Sequence, residues 1–427
     1  MGCPPGGRLP AVREGEKAVD QMERELDRYL AGDPEVAGWP YPMYHRWRSE
    51  HPVFRYESGP AVVLTRYEDV RAVMADSVRI SNDGYRHGPM AQGILTRLPE
   101  ADRAVFYEVM DFESGYISRT DGDQHARLRR IASRAFTPPR IRALRESIHR
   151  HVDELIEVMR AQDVPDVKEG LANQLPIRIV TDLIGVPAED RSMIWEWAEA
   201  IAKHYSVDSG TLNRARDAID SFRGYVHELV ERLRRDDNRT QLAMVLLDGH
   251  NDERLTEEEL TVMFVLLLFA GSETTTNLLG NGFLALQRNR DQWDLVTENP
   301  DLVPDAVEEA LRYDAPLQYL PRVALRDLRF GEETVTEGET IVIFIGAANR
   351  DPATFADPDR YDIRRPERSR HLALAFGPHS YLGSALARLE GEAVLGTLAR
   401  RFPQARLQVD EVGTALAPCC ARRCICR

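Results

Sequence analysis

Apolar residues recur at three- and four-residue steps, with charges between them, around positions 140–160, 187–204 and 211–235, a period that predicts amphipathic helices. A shorter-period pattern precedes them. Val53-Phe54-Arg55-Tyr56, a Ser58-Gly59-Pro60 turn and Ala61-Val62-Val63-Leu64-Thr65 have the composition and punctuation of a hairpin. β-Branched runs return between 327 and 345, broken by Glu332-Glu333 and Glu337-Gly338 and ending in Ile341-Val342-Ile343-Phe344-Ile345. A last helix is predicted over 384–401, with Leu386, Leu389, Leu395 and Leu398 along one side. The fold class expected is mainly α with a smaller β region.

The most informative helix is predicted over 256–288. Thr256 with Glu259 three residues on has the form of a capping box, and Glu257 and Glu258 add negative charge where the helix dipole favours it. Residues 260–270 are apolar on nearly every face, which predicts a helix crossing the core. Within it sits Gly271-Ser272-Glu273-Thr274-Thr275-Thr276, each residue costly in a buried helix. Two readings stand at this point: a hydrated internal kink satisfied by hydroxyls bonding back to the preceding turn, or a bend that places an acid and an alcohol beside a cofactor to pass protons.

The chain has 427 residues, 43% hydrophobic and 29% charged, with 55 Lys+Arg against 69 Asp+Glu and a formal charge of −14. It is long enough to enclose a ligand. Its acidic balance argues against a sequence-independent binder of nucleic acid or anionic membrane. The start has no apolar signal-like stretch, and the longest apolar run, 262–270, is shorter than a bilayer span, so a cytoplasmic protein without membrane contact is expected. Residues 1–18 are read as a disordered lead-in, 19–410 as one domain and 411–427 as a divergent tail. Its Cys419, Cys420, Cys424 and Cys426 match no common zinc spacing. The remaining cysteine is Cys3, so the body of the chain carries no thiol.

Five segments, in order, carry a resemblance. They are Asp121-Gly122-Asp123-Gln124-His125-Ala126-Arg127-Leu128-Arg129-Arg130; Ala270-Gly271-Ser272-Glu273-Thr274-Thr275; Glu309-Ala310-Leu311-Arg312; Ala347-Ala348-Asn349-Arg350-Asp351-Pro352; and residues 371–390, which include Phe376-Gly377-Pro378-His379-Ser380-Tyr381-Leu382-Gly383. Over about residues 35–410 the chain resembles the bacterial haem-thiolate monooxygenases, the cytochromes P-450. That resemblance implies a triangular-prism fold with a long central helix over a pocket for haem b. It implies propionate contacts from His125, Arg129 and Arg322, further pocket contacts at Ala270, Gly271, Gly377, His379, Tyr381 and Gly383, proton delivery by Glu273 and Thr274, and a structural pair at Glu309 and Arg312.

The haem loop departs from the family pattern. Aligned without a gap from His371 to Gly383, it has Leu374 and Ala375 for the family's Phe and first Gly, and Tyr381 for the ligand Cys. Thiolate ligation favours O–O cleavage, so its loss changes the chemistry expected. Three readings follow: Tyr381 ligates iron as a phenolate; haem is held by its propionates, by burial or through His379; or Tyr381 fills the proximal space and no haem is carried, as in homologues that assist sugar-transferring enzymes. The partners implied are a small-molecule substrate and a ferredoxin meeting the basic stretch 364–370, or in the last case a glycosyltransferase. Segments 80–118 and 186–215, with Met90, Ile94, Leu95, Trp195, Trp197 and Tyr205, match the variable substrate-covering regions and are apolar enough for a small secondary metabolite.

Overall fold

The hairpin forms where the alternation predicts it, β1 (Val53–Tyr56) pairing antiparallel with β2 (Ala61–Leu64). In this computed structural model, which describes residues 14–83, 95–96, 98–202, 209–236, 240–252 and 255–407, five further strands follow. They are β3 (Ile80–Ser81), β4 (Tyr319–Ala324), β5 (Leu328–Phe330), β6 (Glu333–Val335) and β7 (Thr340–Phe344). The five-stranded sheet has the order β1-β2-β7-β4-β3, and β5 and β6 form a separate hairpin. β2 and β7 run parallel with Val62 opposite Ile341, a pairing between segments far apart in sequence. β4 was not anticipated as a strand because Pro321 interrupts it. It is tolerated because β3 pairs only at Val323 and Ala324, leaving Pro321 a ladder neighbour on the β7 side alone.

Six helices frame the centre: α1 (Gly122–Ser133), α2 (Arg145–Arg160), α3 (Gln174–Ile184), α4 (Glu257–Arg288), α5 (Val303–Tyr313) and α6 (Ser384–Arg401). The other two periodic segments form Arg191–Ala202 and Ser209–Arg235. The capping box of α4 is complete: Glu259 N donates to Thr256 Oγ1 at 3.1 Å, and Thr256 N to Glu259 Oε2 at 3.0 Å. The two apolar ends of α4 lie in different cores. Leu260, Phe264 and Leu268 pack with the helices of residues 191–235, whereas Leu278, Leu279 and Phe283 pack with α5 and α6. The polar stretch 271–276 thus falls at the junction of two hydrophobic clusters. Helical structure is continuous through it, and Ser272 Oγ donates back to Leu268 O at 2.9 Å, as the first of the two readings requires.

One expectation about the chain's margins changes. The helix Glu14–Leu30 begins inside the stretch read as disordered, because Met22, Leu26 and Tyr29 give it an apolar stripe that packs on Tyr44 and Phe344. The cysteine-rich tail and residues 1–13 lie outside the described residues. Among the described residues α4 is the one helix long and apolar enough to cross a membrane, yet 75% of its most apolar window is buried within the fold.

Candidate functional site

α1, β4 and the loop of residues 371–383 bring together basic side chains from three parts of the chain. His125 and Arg129 are one turn apart on α1. The His125 ring stacks on His379 with centroids 3.9 Å apart and planes at 24°. Arg129 Nη2 donates to Ser380 Oγ at 3.3 Å. Arg322 on β4 is buried and acts electrostatically on His379. Burial first, then His125, Arg322 and Arg129, depress the His379 imidazole to about 4, and only Asp121, whose Oδ1 stands 3.6 Å from Nε2, pulls it upward. Burial lowers His125 and Arg129 as well. Both ring nitrogens of His379 are buried without a hydrogen-bond partner. Mutually repelling basic groups with unsatisfied donors have the chemistry of a carboxylate or phosphate cradle.

The loop itself is held by its backbone. Tyr381 N donates to Leu374 O at 2.9 Å, Ser380 N to Gly377 O at 3.0 Å, and Leu372 N to Asn349 Oδ1 at 2.7 Å. Gly377 has φ +77°, and a Cβ there would stand 2.8 Å from Met74 O, so no other residue fits. Ala375 is left-handed too, with φ +56°, at the position where the sequence comparison expected a glycine. The Tyr381 ring lies over Gly383, where a Cβ would come within 2.8 Å of Cζ and Oη. Burial, then the neighbouring Glu390, push the Tyr381 phenol up to about 12, with a smaller opposing influence from Thr274 on α4. Gly271, Glu273 and Thr274 keep partial exposure although Ser272, Thr275 and Thr276 beside them are buried. A Cβ on Gly271 would meet Val180 only at 3.7 Å. Ala270 lies in the helix one residue earlier.

Residues 193–413 match the family described as Cytochrome P450. The chain belongs to the cytochrome P450 family. It is 34% identical over 379 residues to the polyketide biosynthesis cytochrome P450 PksS of Bacillus subtilis (strain 168), covering 87% of this chain and 90% of that protein. To the vitamin D(3) 25-hydroxylase of Pseudonocardia autotrophica it is 36% identical, with 87% and 88% covered. The crystal structure of P450BioI in complex with hexadec-9Z-enoic acid ligated acyl carrier protein superposes with a TM-score of 0.80 at 31% identity, covering 91% of this chain and 97% of that one. Cytochromes P450 bind haem, act on small molecules and draw electrons from redox partners.

The residues of this cytochrome P450 fit that group unevenly. The basic cluster suits two carboxylates. The ligand position does not suit an iron thiolate, because Tyr381 offers there a phenol pushed up to about 12. Apart from the cradle stands the predicted brace: Glu309 and Arg312, both fully buried, are joined by two hydrogen bonds of 2.8 Å. Arg312 also donates to Asn349 O, Pro358 O and Arg360 O. Arg365, unassigned from the sequence, completes it through a 3.3 Å bond to Glu309 Oε1 and further bonds to Asp357 O and Arg360 O.

This corrects the basic stretch 364–370 as a continuous docking patch. Arg365 is buried in the brace and Arg368 is paired with Asp305, leaving Arg364 and Arg370 at the surface. On and between α1 and α2, Arg130, Arg134, Arg142, Arg145 and Arg150 are also exposed, Arg145 in an ion pair with Glu392. Trp197 is occupied in helix packing, 5.1 Å from Phe222 and 5.9 Å from Tyr225, rather than free to line a pocket. Trp195 is half-buried beside the same cluster and Leu95 is buried. Met90, Ile94 and Tyr205 lie outside the described residues. Asp121 and Glu390 also escaped the sequence reading, because a lone acid in an unremarkable context carries no signal until its neighbours are known.

Proposed function

We propose that this cytochrome P450 is a cytoplasmic haem-dependent oxidoreductase of monooxygenase lineage, acting on a small apolar secondary metabolite, with Tyr381 at the position of the thiolate ligand. The observation that carries the reading is the convergence of His125, Arg129, Arg322 and His379 beside the loop of residues 371–383. These four side chains would hold the two propionates by charge-assisted hydrogen bonds. Haem, when bound, supplies the redox-active iron at which dioxygen is reduced. Thr274 Oγ1 and the Glu273 carboxyl, both half-buried on α4, would hand protons inward. The relatives named as polyketide and vitamin D(3) enzymes support an apolar substrate. An acidic ferredoxin would dock on the arginines of α1 and α2, beside the loop that Arg129 contacts.

The test is the absorption spectrum and haem content of protein expressed with haem precursor, beside Tyr381→Cys. A haem band altered by Tyr381→Phe supports phenol ligation; no haem in either protein removes the proposal. A second reading, a haem-free helper of a partner such as a glycosyltransferase, is favoured by the bulk of Tyr381 at the ligand position, its ring packed over Gly383. Co-purification with a sugar transferase, and rescue of its activity by haem-free protein, would select it.

A further inference from the structure

Asp121 stands at the cap of α1, where an acid ordinarily accepts from N–H groups of the first turn, yet its side chain makes no such bond. The carboxylate is turned to the end of β3 instead. Oδ2 accepts from Ser81 Oγ at 2.5 Å and from Asn82 N at 3.1 Å, and Oδ1 accepts from Asn82 Nδ2 at 3.2 Å. Ser81 pairs in turn with Val323 on β4, the residue after Arg322. The main-chain oxygen of Asp121 accepts from His125 N at 3.2 Å, and Oδ1 stands 3.6 Å from His379 Nε2. One residue thus reaches β3, α1 and the loop of residues 371–383, and its carboxylate lies against the edge of the basic cluster.

We infer that Asp121 is a built-in counter-charge of the basic cradle: a positioning residue that clamps α1 to the edge of the sheet and, by facing His379 with a carboxylate of its own, weakens the hold of the cradle on a dianion. The two roles use different properties of one group. The clamp needs hydrogen bonds, which an asparagine also supplies: its oxygen accepts from Asn82, and its amide donates to Ser81 Oγ, whose hydroxyl rotates to suit. The counter-charge needs the negative charge, which asparagine lacks. A carboxylate this close to the His379 ring, which is stacked 3.9 Å from that of His125, repels a second carboxylate or a phosphate, and water screens the repulsion incompletely at a partly buried site. That the dianion is the pair of haem propionates rests on the reading above; that the cradle faces a carboxylate of its own does not.

The experiment uses the full chain, purified without haem, as wild type, Asp121→Asn, Asp121→Ala and Arg129→Gln. Inorganic phosphate is titrated against chloride at equal ionic strength and read by thermal midpoint. Protoporphyrin IX, which carries both propionates and no iron, and its uncharged dimethyl ester are titrated by fluorescence. Asp121→Asn is expected to bind phosphate and protoporphyrin roughly three- to tenfold more tightly than wild type, the scale of one like charge removed at a partly buried site, and to bind the ester no better. Arg129→Gln should weaken phosphate and protoporphyrin, which locates both in the cradle. Asp121→Ala loses the clamp too, so without ligand its thermal midpoint should fall below that of Asp121→Asn. A residue that served the fold alone would weaken every ligand or none. Equal affinities in wild type and Asp121→Asn overturn the counter-charge, as does an equal gain for the ester, or phosphate and protoporphyrin binding that Arg129→Gln does not weaken. Equal midpoints for the two Asp121 variants overturn the clamp. Tighter phosphate with no protoporphyrin uptake upholds the counter-charge and sinks the haem reading, whereas no binding of either by any variant overturns the cradle and the counter-charge together. Asp121→Asn keeps the clamp, so the charge test remains decisive even if the alanine variant folds poorly.

Discussion

Replacing Glu390 by glutamine should remove a specific part of this protein's pH dependence. Glu390 lies on α6, 2% exposed, with Oε2 lacking a hydrogen-bond partner. Burial raises its carboxyl from 4.5 to about 8. The folded protein therefore keeps a proton that the unfolded chain releases. The stability tied to that proton is fully present below about 4.5 and is lost as pH rises towards 8. His379 has the opposite sign. Its imidazole is depressed from 6.5 to about 4, so its cost is felt in acid, is halfway gone near pH 6.5 and has largely vanished above about pH 7. His125 and His149, also lowered, act in the same direction. Glu390 and the histidines offset each other up to about pH 7, and from about pH 7 to 8 Glu390 dominates. Over that window, at somewhat under about 1.4 kcal/mol per pH unit because the carboxyl is itself half titrated near 8, wild type should lose about 1 kcal/mol. Urea unfolding at about pH 7.0, 7.5 and 8.0 should show the fall in wild type and a nearly flat line in Glu390→Gln. Parallel curves for the two proteins would refute the assignment, and so would a wild type whose stability does not change across the window.

Ala375→Gly should stabilise the protein by about 0.5–1 kcal/mol. Relief of a left-handed alanine gains about 1–2 kcal/mol, and the freer unfolded chain returns part of it, whereas Ala373→Gly in the same loop should only lose stability; thermal midpoints compare them. Glu309→Gln strips both Arg312 and Arg365 of their buried partner and should cost about 3–5 kcal/mol in denaturant unfolding, while Arg364→Ala, at the surface, should stay within about 0.5 kcal/mol. Gly383→Ala should destabilise by about 1–3 kcal/mol through collision with the Tyr381 ring, and much of that should disappear in a Tyr381→Ala background. Charge reversal of Arg130 and Arg134 should slow reduction of haem-loaded protein by an acidic ferredoxin about tenfold at low salt, measured by stopped flow. The difference should shrink as ionic strength rises, and equal rates at every salt concentration would remove α1 as part of the docking face.

The sequence by itself determined the elements that depend on local chemistry. Helix α6 starts and stops where its periodicity does, α4 begins at the capping box read from Thr256 and Glu259, and the β1–β2 hairpin follows its turn. These are decided by neighbours three or four residues away, or by one turn, so a linear reading captures them. The site residues His125, Arg129, Glu309 and Arg312 were likewise found from short motifs on single helices. The tertiary structure alone decided what comes from distant segments. It paired β2 with β7, admitted Pro321 into β4 and drew Arg365 out of an apparent surface run into the Glu309 brace. It buried Glu390 with Oε2 unpartnered and stacked His379 on His125. Whether a charge is solvated or enclosed, and what a long side chain reaches, depend on which surfaces the packed core leaves open, and no local spacing encodes that.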